Sequence, residues 1–382
     1  MNDSGTESEL VQKIVKEILD SDIIQMPSND ATMQLVGINS RMKAVAKLLD
    51  IASNDVRMVG ITGLGGIGKT TIAKAIYNSL SNRFKAKSFL ENVREESKTN
   101  QGIIRLQETL LKGISGDKNL RVNTICEGTT RINRILRLKR VLIILDDVDN
   151  ADQIETLLGQ CECFAFGSRI ILTTRNKRLL ASQNGLSTHV YEVEELDEYE
   201  AIKLFRKHAF RSNEVPEDYL ELVKQAISYA KGLPLALKVM GRDLREKPID
   251  EWNEAIDYYE TNLHEDIQKI LRRSYEGLTE DEKNIFLDIA CFFKGYDMSY
   301  NMIKEVLEAC GLKPYGIRRL IDKCLLTIDT DDYYLSMHDL LQQMGMDIVR
   351  QVAPQNPGKR SRLWSFEEAL HVLNEDMVCM LF

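Results

Sequence analysis

The sequence predicts an α/β domain built on a parallel sheet, then a smaller all-helical domain, then a group of helices closed by a β-hairpin. Three observations lead there. From Val56 to about Leu196, short and nearly uninterrupted apolar runs alternate with amphipathic stretches, as expected of strands buried on both faces and joined by helical crossovers. After Leu196 the strand runs stop and apolar residues return at helical spacing. The segment KCLLTIDTDDYYLSMHD, 323–339, then places two short β-prone runs about the turn-forming Asp329 to Asp332.

Taken in chain order, Leu10, Val11, Ile14, Val15, Ile18 and Leu19 share one face of an amphipathic helix, and Pro27 to Asn29 break the chain after it, so residues 1–35 read as a linker. The expected strands are VRMVGIT (56–62), KSFLENV (87–93), RVLIILDDV (140–148), SRIILTT (168–174) and HVYEVEEL (189–196), giving an α/β domain over 36–195. Helical patterns at 201–210, 219–230, 235–244 and 251–258 fill a domain over 196–262. Further helices at 267–275, 281–293, 299–309 and 315–323, with the hairpin, describe a winged helix over 263–350 and leave a tail at 351–382. No repeat of solenoid period is present.

Composition narrows the function. A chain of 382 residues, 43% hydrophobic and 28% charged, has the balance of a folded multidomain protein. Its net charge of −8 opposes general binding to nucleic-acid phosphates. The seven cysteines are scattered, and Cys161 and Cys163 have no matching pair nearby, so the thiols read as reduced and no metal beyond magnesium is expected. The polar, acidic N-terminus is unlike a signal peptide, and no apolar run reaches the roughly 20 residues of a membrane span, so the cytoplasm is the expected location.

The chemistry-bearing segment is Gly63-Leu-Gly-Gly-Ile-Gly68-Lys69-Thr70, which matches G-x-x-x-x-G-K-[ST] between an apolar strand and a helical pattern. Glycines at 63, 65, 66 and 68 let backbone N–H groups, through Ile67 and on to Thr71, turn toward phosphate oxygens at a helix N-terminus. Lys69 is placed to reach the β and γ phosphates, and Thr70 to ligate magnesium. The strand RVLIILDDVD delivers Asp146 for the magnesium shell and Asp147 to position or polarise water. Fast ATPases commonly carry Glu in that second role; Asp is one methylene shorter and implies slow hydrolysis. Arg175, closing SRIILTTR, is a candidate γ-phosphate sensor, and the absence of N-K-x-D after Asn176-Lys177 points to adenine over guanine. The fold class is thus an α/β P-loop NTPase core followed by helical and winged-helix domains.

Six ordered motifs, FLENVREES (89–97), LIILDDVD (142–149), GSRIILTTR (167–175), GLPLAL (232–237), FLDIACFF (286–293) and MHD (337–339), resemble the NB-ARC family of STAND ATPases, specifically plant immune receptors of the TIR, NB-ARC, leucine-rich-repeat type. FLDIACFF and the Asp149 that closes LDDVD resemble the TIR-linked branch, ESELVQKIVKEIL the linker helix after a TIR domain, and PGKRSRLW (357–364) the join before the repeats. The resemblance implies an ADP/ATP switch of innate immunity, ADP-bound at rest and ATP-bound when active, with Mg2+, in the cytoplasm and nucleus. It also implies that Val36 and Gly37 line the base pocket, that Pro234 lies against adenine, and that His338 reaches the β-phosphate. From the residues alone, His338 reads as a capping histidine between hairpin and helix and Asp339 as a plain N-cap. The implied partners are the nucleotide, further copies through the NB-ARC region and other immune receptors; on this pattern the NAD-cleaving TIR domain and the repeats fall outside the sequence. Two other readings are a P-loop ATPase with steady turnover and a winged-helix nucleic-acid regulator; the acidic wing DTDDYY, 329–334, counts against the latter.

Overall fold

The computed structural model describes residues 35–159, 164–181, 187–211, 215–261, 265–293, 299–328 and 334–374. The expected linker helix, Cys161, Cys163 and the turn at Asp329 to Asp332 lie outside them. The chain packs as two compact units, one of residues 1–61, 70–173 and 180–191, the other of residues 62–69, 174–179 and 192–382.

The five expected strands all form: β1 (Arg57–Thr62), β2 (Ala86–Leu90), β3 (Val141–Val148), β4 (Arg169–Thr174) and β5 (Ser187–Glu192), in the order β2-β3-β4-β1-β5 of one parallel sheet. β2 and β3 run in register from Ala86 opposite Val141 to Leu90 opposite Leu145. Every residue of β4 is buried, as a strand covered on both faces requires, while β5 at the sheet edge is largely exposed. KSFLENV ends as a strand at Leu90 because Asn92 turns left-handed, φ 52°, and starts a short helix. The helices around these strands are α1 (Ile38–Leu49), α2 (Lys69–Leu80), α3 (Val93–Glu96), α4 (Asn100–Ser115), α5 (Ile125–Leu136), α6 (Ala151–Leu158) and α7 (Arg178–Ala181).

Within the first unit, Arg169 at the start of β4 is fully buried with a charged head. Its guanidinium donates to the carbonyl oxygens of Leu49 (2.5 Å), Asp50 (2.6 Å), Ser53 (2.7 Å), Asp55 (2.6 Å) and Ser168 (2.9 Å). Asp55 adds a carboxylate oxygen at 3.6 Å. One side chain thus satisfies the carbonyls of the loop that joins α1 to β1.

The second unit continues with α8 (Glu198–Ala209), α9 (Leu220–Ala230), α10 (Pro234–Asp243), α11 (Ile249–Thr261), α12 (Glu265–Glu276), α13 (Glu280–Asp288), α14 (Tyr300–Ala309), α15 (Tyr315–Asp322), the hairpin β6 (Thr327–Ile328) and β7 (Leu335–Ser336), then α16 (Asp339–Val352) and α17 (Phe366–Asn374). α8, α9 and α11 close on Trp252, whose ring lies 5.0 Å from Tyr219, 5.4 Å from Phe210 and 6.0 Å from Phe205. The expected helix 281–293 is regular only to Asp288 and widens into a π-type turn over Ile289–Phe293. A Thr279/Glu282 capping box starts it.

Arg169→Leu is expected to lower stability in urea by about 3–5 kcal/mol, since five hydrogen bonds to buried carbonyls are lost at once, with backbone donors remaining for Asp50 O and Ser168 O. Arg169→Lys should recover little of it, because three ammonium donors cannot span the loop; a midpoint unchanged from the parent in either variant would remove this account.

Candidate functional site

The glycine-rich loop belongs to the second unit and is shaped from within. Lys69 is buried, and its ammonium donates to the loop's own carbonyls at Gly63 (2.8 Å) and Leu64 (2.9 Å). Ile67 N–H closes a turn on Leu64 O at 3.3 Å. Gly63, Gly66 and Gly68 all have positive φ, 143°, 85° and 104°, and Gly65 is buried. At Gly66 there is a second constraint: a Cβ there would stand 2.7 Å from Leu235 Cβ. The loop is that close because the N–H of Leu235, in the first turn of α10, donates to Gly66 O at 3.2 Å. GLPLAL and the loop therefore meet directly, with Pro234 at the N-terminus of α10, where its missing N–H is harmless.

The oxygen-bearing residues sit in the first unit. Thr70 and Thr173 both direct their hydroxyls at Asp146 Oδ1, at 2.8 and 2.6 Å. Thr173 Oγ1 in turn accepts from the N–H of Asp147 at 2.8 Å. Asp146 is buried, and the next residue, Asp147, is half-buried with a left-handed backbone, φ 57°. The position of β4 beside β3 makes this possible, since it sets Thr173 next to Asp146. An alcohol and a carboxylate form a hard oxygen set, and their 2.8 Å separation is close to the roughly 2.9 Å between neighbouring ligands of an octahedral ion with bonds of about 2.0–2.1 Å. The residues fit magnesium. Val36 and Gly37 lie just before α1, where Gly37, φ 68°, is the N-cap and its carbonyl accepts from Arg41 at 2.8 Å. Thr71 lies half-buried in the first turn of α2.

The winged-helix part of the second unit brings His338 in as the N-cap of α16, with φ −60°, ψ 138° and Nδ1 accepting the N–H of Leu340 at 3.1 Å. The expectation of Asp339 as the cap is thus corrected: the preceding residue has the extended backbone, and its ring nitrogen takes the orphan donor. Because Nδ1 accepts, a neutral ring carries its proton on Nε2, which becomes a donor. His338 lines a cavity of about 670 Å³ together with Gly63, Leu64, Glu192, Lys231 and Cys324. That volume lies in the range of small-molecule sites, about 300–1,000 Å³. Burial pushes the Cys324 thiol up, opposed by Lys177, Lys69 and the N–H of Gly63. Arg175 reaches Ser274 Oγ at 3.0 Å through Nη1. Its neighbours are held by α15: Lys177 N–H donates to Asp322 O at 2.7 Å, Arg178 pairs with the Asp322 carboxylate, and Arg178 Nη1 donates to Tyr315 Oη at 2.7 Å.

Sequence reasoning named Thr173 as a strand end without a role, and passed over Leu235, Cys324 and Asp322. Thr173 had a signal, a hydroxyl one strand over from the aspartate pair; the others are joined to the loop or the strand end only by tertiary packing.

A parallel sheet, a glycine-rich loop opening α2 and an aspartate closing β3 define a P-loop nucleotide-binding protein. Residues 38–215 match the NB-ARC domain, and residues 279–353 match the winged-helix domain of Roq1-like disease resistance proteins. The chain contains an NB-ARC domain and a Roq1-like winged-helix domain, and its homologues are plant disease resistance proteins. It is 46% identical over 363 residues to disease resistance protein RUN1 of Vitis rotundifolia, covering 93% of this chain and 27% of that protein. It is 39% identical over 384 residues to TMV resistance protein N of Nicotiana glutinosa, covering 98% of this chain and 32% of that one. The chain thus spans about a quarter to a third of the curated relatives it matches. A solved STAND protein with a tetratricopeptide repeat sensor from Pyrococcus horikoshii matches at 18% identity over 89% of this chain and 45% of its own, with a TM-score of 0.32, an overlap too low to carry an argument. No described helix is long and apolar enough to cross a membrane.

His338→Ala is expected to cost about 1 kcal/mol by removing the cap of α16, whereas His338→Asn keeps a capping oxygen and should leave stability near the parent. If His338 also touches nucleotide, Asn will still release ADP faster; equal ADP dissociation rates in the Asn variant and the parent would leave His338 a cap alone.

Proposed function

We propose that this chain is a nucleotide-dependent switch, holding ADP at rest and ATP when active, with slow hydrolysis resetting it. The observation that carries the reading is that one packed unit contains the loop Gly63–Lys69, the GLPLAL helix bonded to it, and a cavity whose wall includes both Gly63 and His338. A cavity shared by the phosphate loop and a winged-helix histidine lets a distant part of the chain respond to what the loop holds. In this reading Gly63, Gly65, Gly66, Ile67, Gly68 and Thr71 bind phosphates through backbone N–H groups, Lys69 neutralises them, and Arg175 answers to the γ-phosphate. Val36, Gly37 and Pro234 border the adenine, and the Nε2–H of His338 donates to the β-phosphate. Thr70 and Asp146 hold magnesium, which supplies charge neutralisation for the phosphates. Asp147 orients water from a half-buried position, and the shorter acid in that role supports slow turnover.

The proposed domains are a nucleotide-binding domain at 36–195, a helical domain at 196–262 and a winged-helix domain at 263–350, with a linker at 1–35 and a tail at 351–382. The names of the relatives support a part in plant defence signalling. We carry that role to this chain, with the cytoplasm and nucleus as its location and self-association through the NB-ARC region as its output.

Denaturing the purified protein and identifying the released nucleotide by chromatography tests the central claim. Stoichiometric ADP with little turnover supports the switch; an empty site with steady turnover of about 1 per second or more, an ordinary enzyme rate, makes the chain a working ATPase instead. Lys69→Arg is expected to abolish nucleotide retention, since a forked guanidinium cannot occupy the place of an ammonium held by two carbonyls. Asp146→Asn should remove the magnesium dependence of ATP affinity and spare metal-free binding; a retained magnesium effect would move the metal site elsewhere.

A further inference from the structure

The helical part of the second unit carries a concentration of positive charge that the nucleotide reading does not use. α8 ends in Arg206, Lys207 and His208, α10 carries Lys238 and Arg242 at i and i+4 on one face, and Arg245 lies in the turn after the Leu244 C-cap. The two helices approach closely at this point: a Cβ on Gly241 would stand 3.0 Å from His208 Cβ and 3.1 Å from Phe205 O. His208 and Lys238 are half-buried there, while Lys207, Arg242 and Arg245 are exposed around them.

Among the described residues no carboxylate pairs with Lys238 or Arg242. Of the nearby acids in sequence, Asp243 is engaged by Lys247 and Tyr259, and Glu246 is shared between Arg211 at 2.7 Å and Arg245 at 3.7 Å. The groups press on one another accordingly. Burial first, then Arg242, Lys238, Lys207 and Arg245, push the His208 imidazole down to about 4. Burial, Arg242 and Lys207 likewise depress the Lys238 ammonium. Like charges partly withdrawn from water, in a chain of net charge −8, form an arrangement that an anion would relieve.

We infer that the surface formed by Lys238 and Arg242 of α10, Arg245 in the turn after it, and Lys207 and His208 of α8 is a binding site for a small anion bearing several phosphate groups. Lys238 and Arg242 stand about 6 Å apart along the helix axis, and with Arg245 they carry more positive charge than the roughly −2 of a single phosphate neutralises. Guanidinium forks at Arg242 and Arg245 match phosphate oxygens two at a time. The half-recessed His208 and Lys238 favour a compact anion that enters between the side chains over a flat macromolecular surface. The source of the phosphates can be a soluble compound or a lipid headgroup.

The test uses the whole chain saturated with ADP, so that the glycine-rich loop does not contribute. Titration with inositol hexakisphosphate, and separately co-sedimentation with phosphatidylcholine vesicles containing phosphatidylinositol 4,5-bisphosphate, are compared for the parent, Lys238→Ala/Arg242→Ala and the exposed charge reversal Arg242→Glu. The expected result is saturable binding of at least one probe, weakened about tenfold or more in both variants and falling steeply with salt, with ADP retention unchanged. Hexakisphosphate binding alone names a soluble source; vesicle binding lost in the variants names a headgroup. The NMR titration of His208 should move upward from about 4 when the probe is bound. Absence of saturable binding to both probes, or binding that neither variant alters, overturns the site without touching the nucleotide reading.

Discussion

Arg169 enters the interior of the first unit with a full charge and finds a carbonyl oxygen for its donors in every direction, from Leu49, Asp50, Ser53, Asp55 and Ser168. The loop it satisfies leads straight into β1, and Arg169 itself begins β4, so the same guanidinium fixes where both strands start. The register of β4 decides where Thr173 stands against Asp146. A buried charge of this kind adds little by being present and costs a great deal when removed, which makes it a constraint on geometry more than a source of stability.

The oxygen cluster built on that frame is economical in its parts. One oxygen of Asp146 accepts both Thr70 and Thr173, and the Thr173 hydroxyl also receives the N–H of Asp147, whose left-handed backbone bends the chain as the strand ends. In the second unit Lys69 is held by the carbonyls of its own loop. Lys69, Thr70 and Asp146 are thus each held in place by a neighbour.

How much of this was legible in the sequence follows from the range of each interaction. The sheet was, because an apolar run such as LIILDDV can be buried on both faces in few other ways. So were the loop, Lys69 and the aspartate pair, because spacing alone carries their chemistry. The strand KSFLENV stops three residues short of its expected end, since a left-handed Asn92 leaves no mark on hydrophobic periodicity. His338 caps α16, as its place between hairpin and helix led the sequence to suggest, whereas Asp339 is not the N-cap because the hairpin releases the backbone one residue earlier. Nothing in the sequence around Arg169 marks it out, because four of its five carbonyl acceptors come from a loop more than a hundred positions earlier.

The bond from Leu235 to Gly66 has a further meaning for how such proteins can be taken apart. The first turn of α10 lacks a side-chain cap, and a carbonyl of the glycine-rich loop serves in its place. Loop and helix are therefore a single folding element written in two distant stretches of sequence. A loop transplanted without its helix would lose the neighbour that dictates a glycine at 66, and a helix swapped between relatives would carry its own opinion of the loop's shape. A crossover between relatives that falls between these two stretches separates halves that contact each other.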